Sequence, residues 1–169
     1  MMIINAFNTC LTEQNTDQYI VVDDREKFLP AALYEHLGVV KKERLLLGDI
    51  VIKSRSSYDV FIENKTLYDL LCSYSTGRLQ TQLDALHNCC FRYCFLFVLY
   101  SRMCSKSKSS ASRTCYSSDH EKRVMKYLDR VPYIYPRIAV EVFKERSKLV
   151  ECVGKIFHFI SSKAHPRGP

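Results

Sequence analysis

Short runs of β-branched and aromatic residues, each separated from the next by a turn or a helix-like segment, constrain this chain more than any other feature. YIVVD (19–23), ERLLLGD (43–49), IVIKS (50–54), VFIEN (60–64), YCFLFVLY (93–100) and YPRIAVEVF (135–143) each read as a strand. LPAALYEHLG (29–38) carries a proline near its start and a closing glycine, the punctuation of a short helix. Thr66 is placed to cap a helix over LYDLLCSYS (67–75). In GRLQTQLDALHNC (77–89), Leu79, Leu83 and Leu86 recur at i, i+4 and i+7, one apolar stripe. HEKRVMKYLDRV (120–131) and KERSKLVECVGKIFHFISS (144–162) read as two more helices. Strands alternating with helices predict an α/β fold with a mixed or largely parallel sheet, and in such sheets sites form where strands end.

The length of 169 residues suits one domain. Residues 1–18 are weakly patterned and are expected to be a loose lead-in, and the tail KAHPRGP (163–169) to be disordered. No basic segment and apolar run of signal-peptide form opens the chain, and YCFLFVLY is far too short to span a bilayer. No membrane association is expected. Lys and Arg outnumber Asp and Glu by 25 to 18, a net charge of +7 that favours polyanionic partners, nucleic acid first.

Eight cysteines in a chain without a secretory signal are expected to be reduced thiols. Cys89, Cys90 and Cys94 lie close together near His87, but no second CxxC pair follows. Cysteine acting as a small buried hydrophobe is the better reading than structural zinc.

Acids gather at the strand ends. Asp23 and Glu26 follow the first strand, Asp49 lies at a strand junction and Glu63 ends VFIE. Lys65, two residues beyond Glu63, projects to the same face of an extended segment. Carboxylates brought together repel one another unless they share a cation, and hard oxygen ligands suit Mg²⁺ or Mn²⁺. Such a site, with an ammonium beside it, suits metal-assisted phosphodiester cleavage. The plainer alternatives are an Asp that caps a turn and a Glu and Lys that decorate an edge strand.

IVVDDREKFLPAALYEHLG, LLLGDIVI and VFIENKTLYDLLCSYSTGRLQTQLDAL, taken in order, resemble the nuclease domain of the XPF-type structure-specific endonucleases. That family shows V-D-x-R-E, then G-D, then E-R-K-x-x-x-D, then S-x-x-x-G-R-L-x-x-Q. Here the matching residues are Asp23, Arg25 and Glu26; Gly48 and Asp49; Glu63, Lys65 and Asp69; and Ser73, Gly77, Arg78, Leu79 and Gln82. The motifs cover residues 19 to 100, and PRIAVEVFKERSKLVE is similar to the closing βα unit, giving a nuclease domain over 19–162.

The resemblance implies a restriction-endonuclease-like central mixed sheet flanked by helices. It also implies a Mg²⁺- or Mn²⁺-dependent endonuclease acting on branched, flap or junction DNA in repair or recombination. It makes Asp23, Glu26, Asp49 and Glu63 the metal ligands. Asp23, Arg25, Asp49, Glu63 and Lys65 are the catalytic set, with Lys65 positioning or activating water. Arg25 and Arg78 lie near a phosphate, and Asp69 and Gln82 are structural supports. It further implies a homodimer, or a heterodimer with another chain of the family, and work inside the cell in the nucleus or at a site of viral or cellular DNA replication. The family's middle Arg is Asn64 here, which removes a cationic fork and keeps a second reading open: a catalytically weak or inactive DNA-binding scaffold that partners an active nuclease. The family's helix-hairpin-helix repeats have no counterpart after residue 143. In the Ser/Lys-rich loop 101–118, Arg102, Lys106, Lys108 and Arg113 are either a phosphate-tracking patch or a solvated linker.

Overall fold

A computed structural model describes residues 18–27, 29–54, 59–100 and 117–164. Most of the expected lead-in (1–18), basic loop (101–118) and tail (163–169) lies outside these described residues, but Gln18 is in the first strand, Ser118 opens a helix, and Lys163 and Ala164, expected to be disordered, end the last helix. In chain order the elements are β1 (Gln18–Asp23), α1 (Leu29–Leu37), β2 (Val40–Glu43), β3 (Ile50–Ser54), β4 (Val60–Thr66), α2 (Leu67–Ser75), α3 (Arg78–Asn88), β5 (Tyr93–Leu99), α4 (Ser118–Leu128), α5 (Val131–Ile134), β6 (Ile138–Phe143) and α6 (Arg146–Ala164).

The strands form one sheet in the order β2-β1-β3-β4-β5-β6. β1, β3 and β4 run antiparallel to their neighbours in that trio, while β2 on one side and β5 and β6 on the other pair in parallel. The α/β expectation holds, with a mixed sheet. Helices cover both faces, so the central strands carry apolar residues at successive positions rather than alternating with polar ones. On one face Val21, Val51, Phe61, Leu96 and Val98 meet Leu70 and Leu71 of α2, Leu79, Leu83 and Leu86 of α3, and Val124 and Leu128 of α4. On the other, Ile20, Val22, Ile50, Ile52, Ile62 and Phe97 meet Leu29 and Leu33 of α1 and Leu149, Val153 and Phe157 of α6. The leucine stripe of α3 is fully inside. Burying each of these side chains contributes roughly 1.5–3 kcal/mol before chain entropy is subtracted.

ERLLLGD is not a strand. β2 lies upstream at Val40–Glu43, where half of the residues are exposed, as an edge strand allows. The apolar run instead forms a loop: Leu45 is buried, Leu46 is exposed and Leu47 packs on the first core cluster. The final strand also starts later than its sequence suggests, because Val131–Ile134 forms a short helix before Ile138. Of the apolar residues near the chain's end, Phe157 and Ile160 are core, Phe143 is partly buried against that core and Phe159 is exposed.

Candidate active site at the ends of β1, β3 and β4

Strand alternation sets the site's composition. Asp23 follows Val21, and Glu63 and Lys65 follow Phe61, each on the sheet face that α2 and α3 cover. Carrying the β1–β3 register one residue beyond Val22↔Ile50 sets Asp23 beside Asp49, where the Asp23 N–H donates to the Asp49 carbonyl at 2.9 Å. Asp49 is then held to β4 on both sides of Glu63. Its N–H donates to the Ile62 carbonyl at 2.9 Å, and its carboxylate accepts the Asn64 N–H at 2.7 Å.

Gly48 permits this approach. Its φ is +71°, and a Cβ there would stand 2.6 Å from Phe61 Cδ1 and 3.2 Å from the Ile62 carbonyl oxygen. A side chain would be strained at that φ and would push into a buried ring.

Three carboxylates meet three different electrostatic environments. Asp23 is buried, and four N–H donors saturate it. Oδ1 accepts Arg25 Nε at 2.6 Å and the Arg25 backbone N–H at 2.9 Å, while Oδ2 accepts an Arg25 terminal nitrogen and the Leu45 N–H, both at 2.9 Å. The Arg25 hydrogen bond is the main cause that holds its pKa down at about 2. Glu63 and Lys65 form a pair buried on both sides, with Lys65 Nζ donating to Glu63 Oε1 at 2.8 Å. Gln82 Nε2 donates to the same oxygen at 2.9 Å. Among the described residues Asp49 has the Asn64 amide and no ion pair, and burial, followed by the charges of Glu63 and Glu26, pushes its pKa up to about 7 against that amide and Lys65.

Glu26 belongs to the same negative corner. Its carboxyl is raised by burial first, then by Asp23, Asp69 and Glu63, with Arg146 opposing. Asp69 accepts the Thr66 hydroxyl at 2.6 Å and donates its own N–H to that hydroxyl at 3.2 Å, closing the N-terminus of α2. Arg78 is exposed and donates to the buried hydroxyl of Ser73 at 3.0 Å, bracing the α2–α3 turn. Lys106 and Lys108, with Arg102 and Arg113, lie outside the described residues.

The structure thus brings Asp49, Glu63 and Lys65 together, with Glu26 near them in charge and Gln82 in contact. It commits Asp23 to Arg25 instead. Among the described residues no three His, Cys, Asp or Glu side chains form a group that could hold a metal, which bears equally on a four-carboxylate set and on zinc at Cys89, Cys90, Cys94 and His87. Yet the chemistry at Asp49 and Glu63 fits a hard divalent cation. Both offer carboxylate oxygens, burial and the charges of Glu63 and Glu26 outweigh the Asn64 amide and Lys65 at Asp49, and among the described residues the buried Oε1 of Gln82 has no hydrogen-bond partner.

Sequence reasoning missed two contacts, the Leu45 and Asn64 amides. Backbone N–H groups are present at every non-proline position, so no residue type signals them. Asn64 therefore serves Asp49 whatever its side chain. By alternation that side chain lies on the opposite face, where its Oδ1 is buried and has no partner among the described residues.

The family model described as the ERCC4 domain matches residues 22–153. Two solved structures share the architecture. XPF from Aeropyrum pernix in complex with DNA aligns at a TM-score of 0.63 and 21% identity, over 89% of this chain and 68% of that chain. XPF from Aeropyrum pernix aligns at 0.63 and 20%, over 85% of this chain and 65% of that one. At these identities the likeness is one of fold. No curated protein matches the sequence.

Proposed function

This chain belongs to the ERCC4 domain family and carries an XPF-type nuclease domain, and on that premise we propose that it is a Mg²⁺- or Mn²⁺-dependent endonuclease. Its substrate is branched, flap or junction DNA arising in repair or recombination. The observation that carries this reading is the grouping of Asp49, Glu63 and Lys65, with Asp49 raised to about 7 by burial and by the charge of Glu63. Asp49 and Glu63 would hold the cation. When bound, it supplies Lewis-acid charge for phosphodiester hydrolysis.

The chain's own residues do the rest. Glu63 fixes the Lys65 ammonium by a 2.8 Å hydrogen bond, so that its remaining donors are available to orient water or offset charge on a phosphate. Gln82 fixes Glu63 from α3. Arg25 has a side chain that is 59% exposed while Asp23 holds the inner edge of its guanidinium, an arrangement that can meet a phosphate at the rim. Arg78, exposed at the α2–α3 turn, supplies a second cation. The Aeropyrum XPF structure contains DNA, which supports DNA as the ligand here. We place the activity in the nucleus or at a site of viral or cellular DNA replication, exercised as a homodimer or a heterodimer with another family chain.

The test is nicking of labelled flap and splayed-arm DNA in Mg²⁺ and in Mn²⁺, with Asp49→Asn as the control. Cleavage by the wild type alone is the expected result. A second reading, a non-catalytic DNA-binding scaffold, is favoured by the saturation of Asp23 and by Asn64 in place of a basic residue. Binding of the same DNAs without cleavage in either metal would establish it and remove the first.

A further inference from the structure

At the opposite end of the β4–β5 pair from the carboxylates, two thiols face each other. Cys89 ends α3, and Cys94 is the second residue of β5, paired with Phe61 near the start of β4. Their sulfurs are 3.5 Å apart. Cys94 is buried and Cys89 half-buried at the turn, beside the exposed Cys90. The turn is held on both sides. Phe91 packs on Phe61 with ring centroids 4.5 Å apart, and Arg137 donates to the carbonyls of His87, at 2.9 Å, and of Phe91.

We propose that Cys89 and Cys94 are a peroxide-responsive dithiol, with Cys89 the attacking and Cys94 the resolving thiol, closing to a reversible disulfide. The two positions are unequal in the way the chemistry requires. The Cys94 thiol, aided by the Phe91 backbone and the Arg137 guanidinium, lowers the Cys89 pKa to about 6 against the effect of burial; the Leu86 carbonyl, which accepts from that sulfur at 2.9 Å, also favours the neutral form. Cys94 shifts upward, chiefly through its bond to Cys89 and through burial, and so keeps its proton.

The Cys89 thiolate attacks hydrogen peroxide. An S–O bond forms, the O–O bond breaks and hydroxide leaves to become water, so the sulfur is oxidised by two electrons and the peroxide reduced. The Cys94 sulfur then attacks the Cys89 sulfenic acid. The S–S bond forms, the S–O bond breaks, and the hydroxide departs with the Cys94 proton as a second water. Two thiols and one peroxide yield one disulfide and two waters. Closure brings the sulfurs together by about 1.5 Å, from 3.5 Å to a bond of roughly 2.05 Å. The disulfide would tie the end of the helix that carries Gln82 to the core strand.

The plain alternative is two packed cysteines with no redox role. The sequence supplies a clean test, because Arg92 lies between the two and trypsin separates 79–92 from 93–102. The reduced full chain is titrated with hydrogen peroxide, capped with N-ethylmaleimide and digested without reductant. The expected result is a joined pair of these two peptides, lost on adding dithiothreitol, with Cys90 still capped. Cys94→Ser should instead leave a Cys89 sulfenic acid that dimedone traps. Cys90→Ser should behave as the wild type. If both thiols remain fully capped after peroxide, or if Cys89→Ser still joins the peptides through Cys90, the proposal is overturned.

Discussion

Asp23 and Asp49 carry the same side chain on adjacent strands, joined by a backbone hydrogen bond of 2.9 Å, yet their acidities are driven apart, to about 2 and about 7. Asp23 has four donors for its two oxygens. Asp49 has one backbone amide and faces Glu63 and Glu26 across low-dielectric surroundings. The first is fully satisfied as an anion and acts as a brace, fastening the β1 end to the Leu45 loop. The second remains short of positive charge, which is the condition of a group that gains by meeting a cation. Family motifs place both acids at a metal site, whereas the geometry gives them separate work.

The neighbouring carboxylate supplies the largest expected effect. Glu63 differs from Asp49 in having a buried ammonium partner, and Lys65→Met removes it. An uncompensated buried carboxylate then costs about 3–5 kcal/mol, read as a fall in the urea midpoint at pH 8. Lys65→Met combined with Glu63→Gln should recover most of that loss. If Lys65→Met alone were neutral, the ammonium would not be what compensates Glu63, and the contrast with Asp49 would vanish.

Asp49→Asn is expected to act in opposite directions on stability and activity. Because the folded pKa lies above the unfolded one, the favourable contribution of protonated Asp49 is full below about pH 4 and is lost as the pH rises through about 7. The metal-free variant should therefore be more stable than the wild type at pH 8, by a few kcal/mol, with the gap closing toward pH 4. DNA nicking should fall by more than roughly 100-fold. A variant less stable than the wild type at pH 8 would show that Asp49 is already compensated.

Gly48→Ala bears on how Asp49 reaches β4. The methyl group meets Phe61 and the positive φ adds backbone strain, together about 2–4 kcal/mol by chemical denaturation. The accompanying loss of activity should exceed that of an equally destabilising core change such as Leu83→Ala, because the displaced segment carries Asp49.

These contrasts show what the sequence could and could not convey. β1 and β4 were legible because β-branched runs stop on acids, and α3 because its leucines recur with helical spacing. β2 was not, since an edge strand reading VKKE has little apolar content while the neighbouring LLL belongs to a loop that fills the core. The acids and Lys65 were visible as residue types at strand ends. The division of labour between Asp23 and Asp49 was not, because it depends on the Leu45 and Asn64 amides and on which way one guanidinium turns.

Arg25→Gln tests that last point and should have the smallest effect, since the guanidinium is largely exposed and solvent screens it. It removes two of the four donors on Asp23 and leaves the Arg25 and Leu45 amides. The sign follows from the lowered pKa: the stability that ionised Asp23 contributes is present above about pH 4 and is lost as the pH falls through about 2. The variant should be less stable than the wild type by a constant margin above pH 4, and the two should converge toward pH 2. The margin should also shrink in high salt. Urea titrations across that range separate two accounts of the brace. Convergence assigns the low pKa of Asp23 to the Arg25 side chain, whereas curves that coincide at every pH assign it to the backbone amides, which a change of side chain leaves in place.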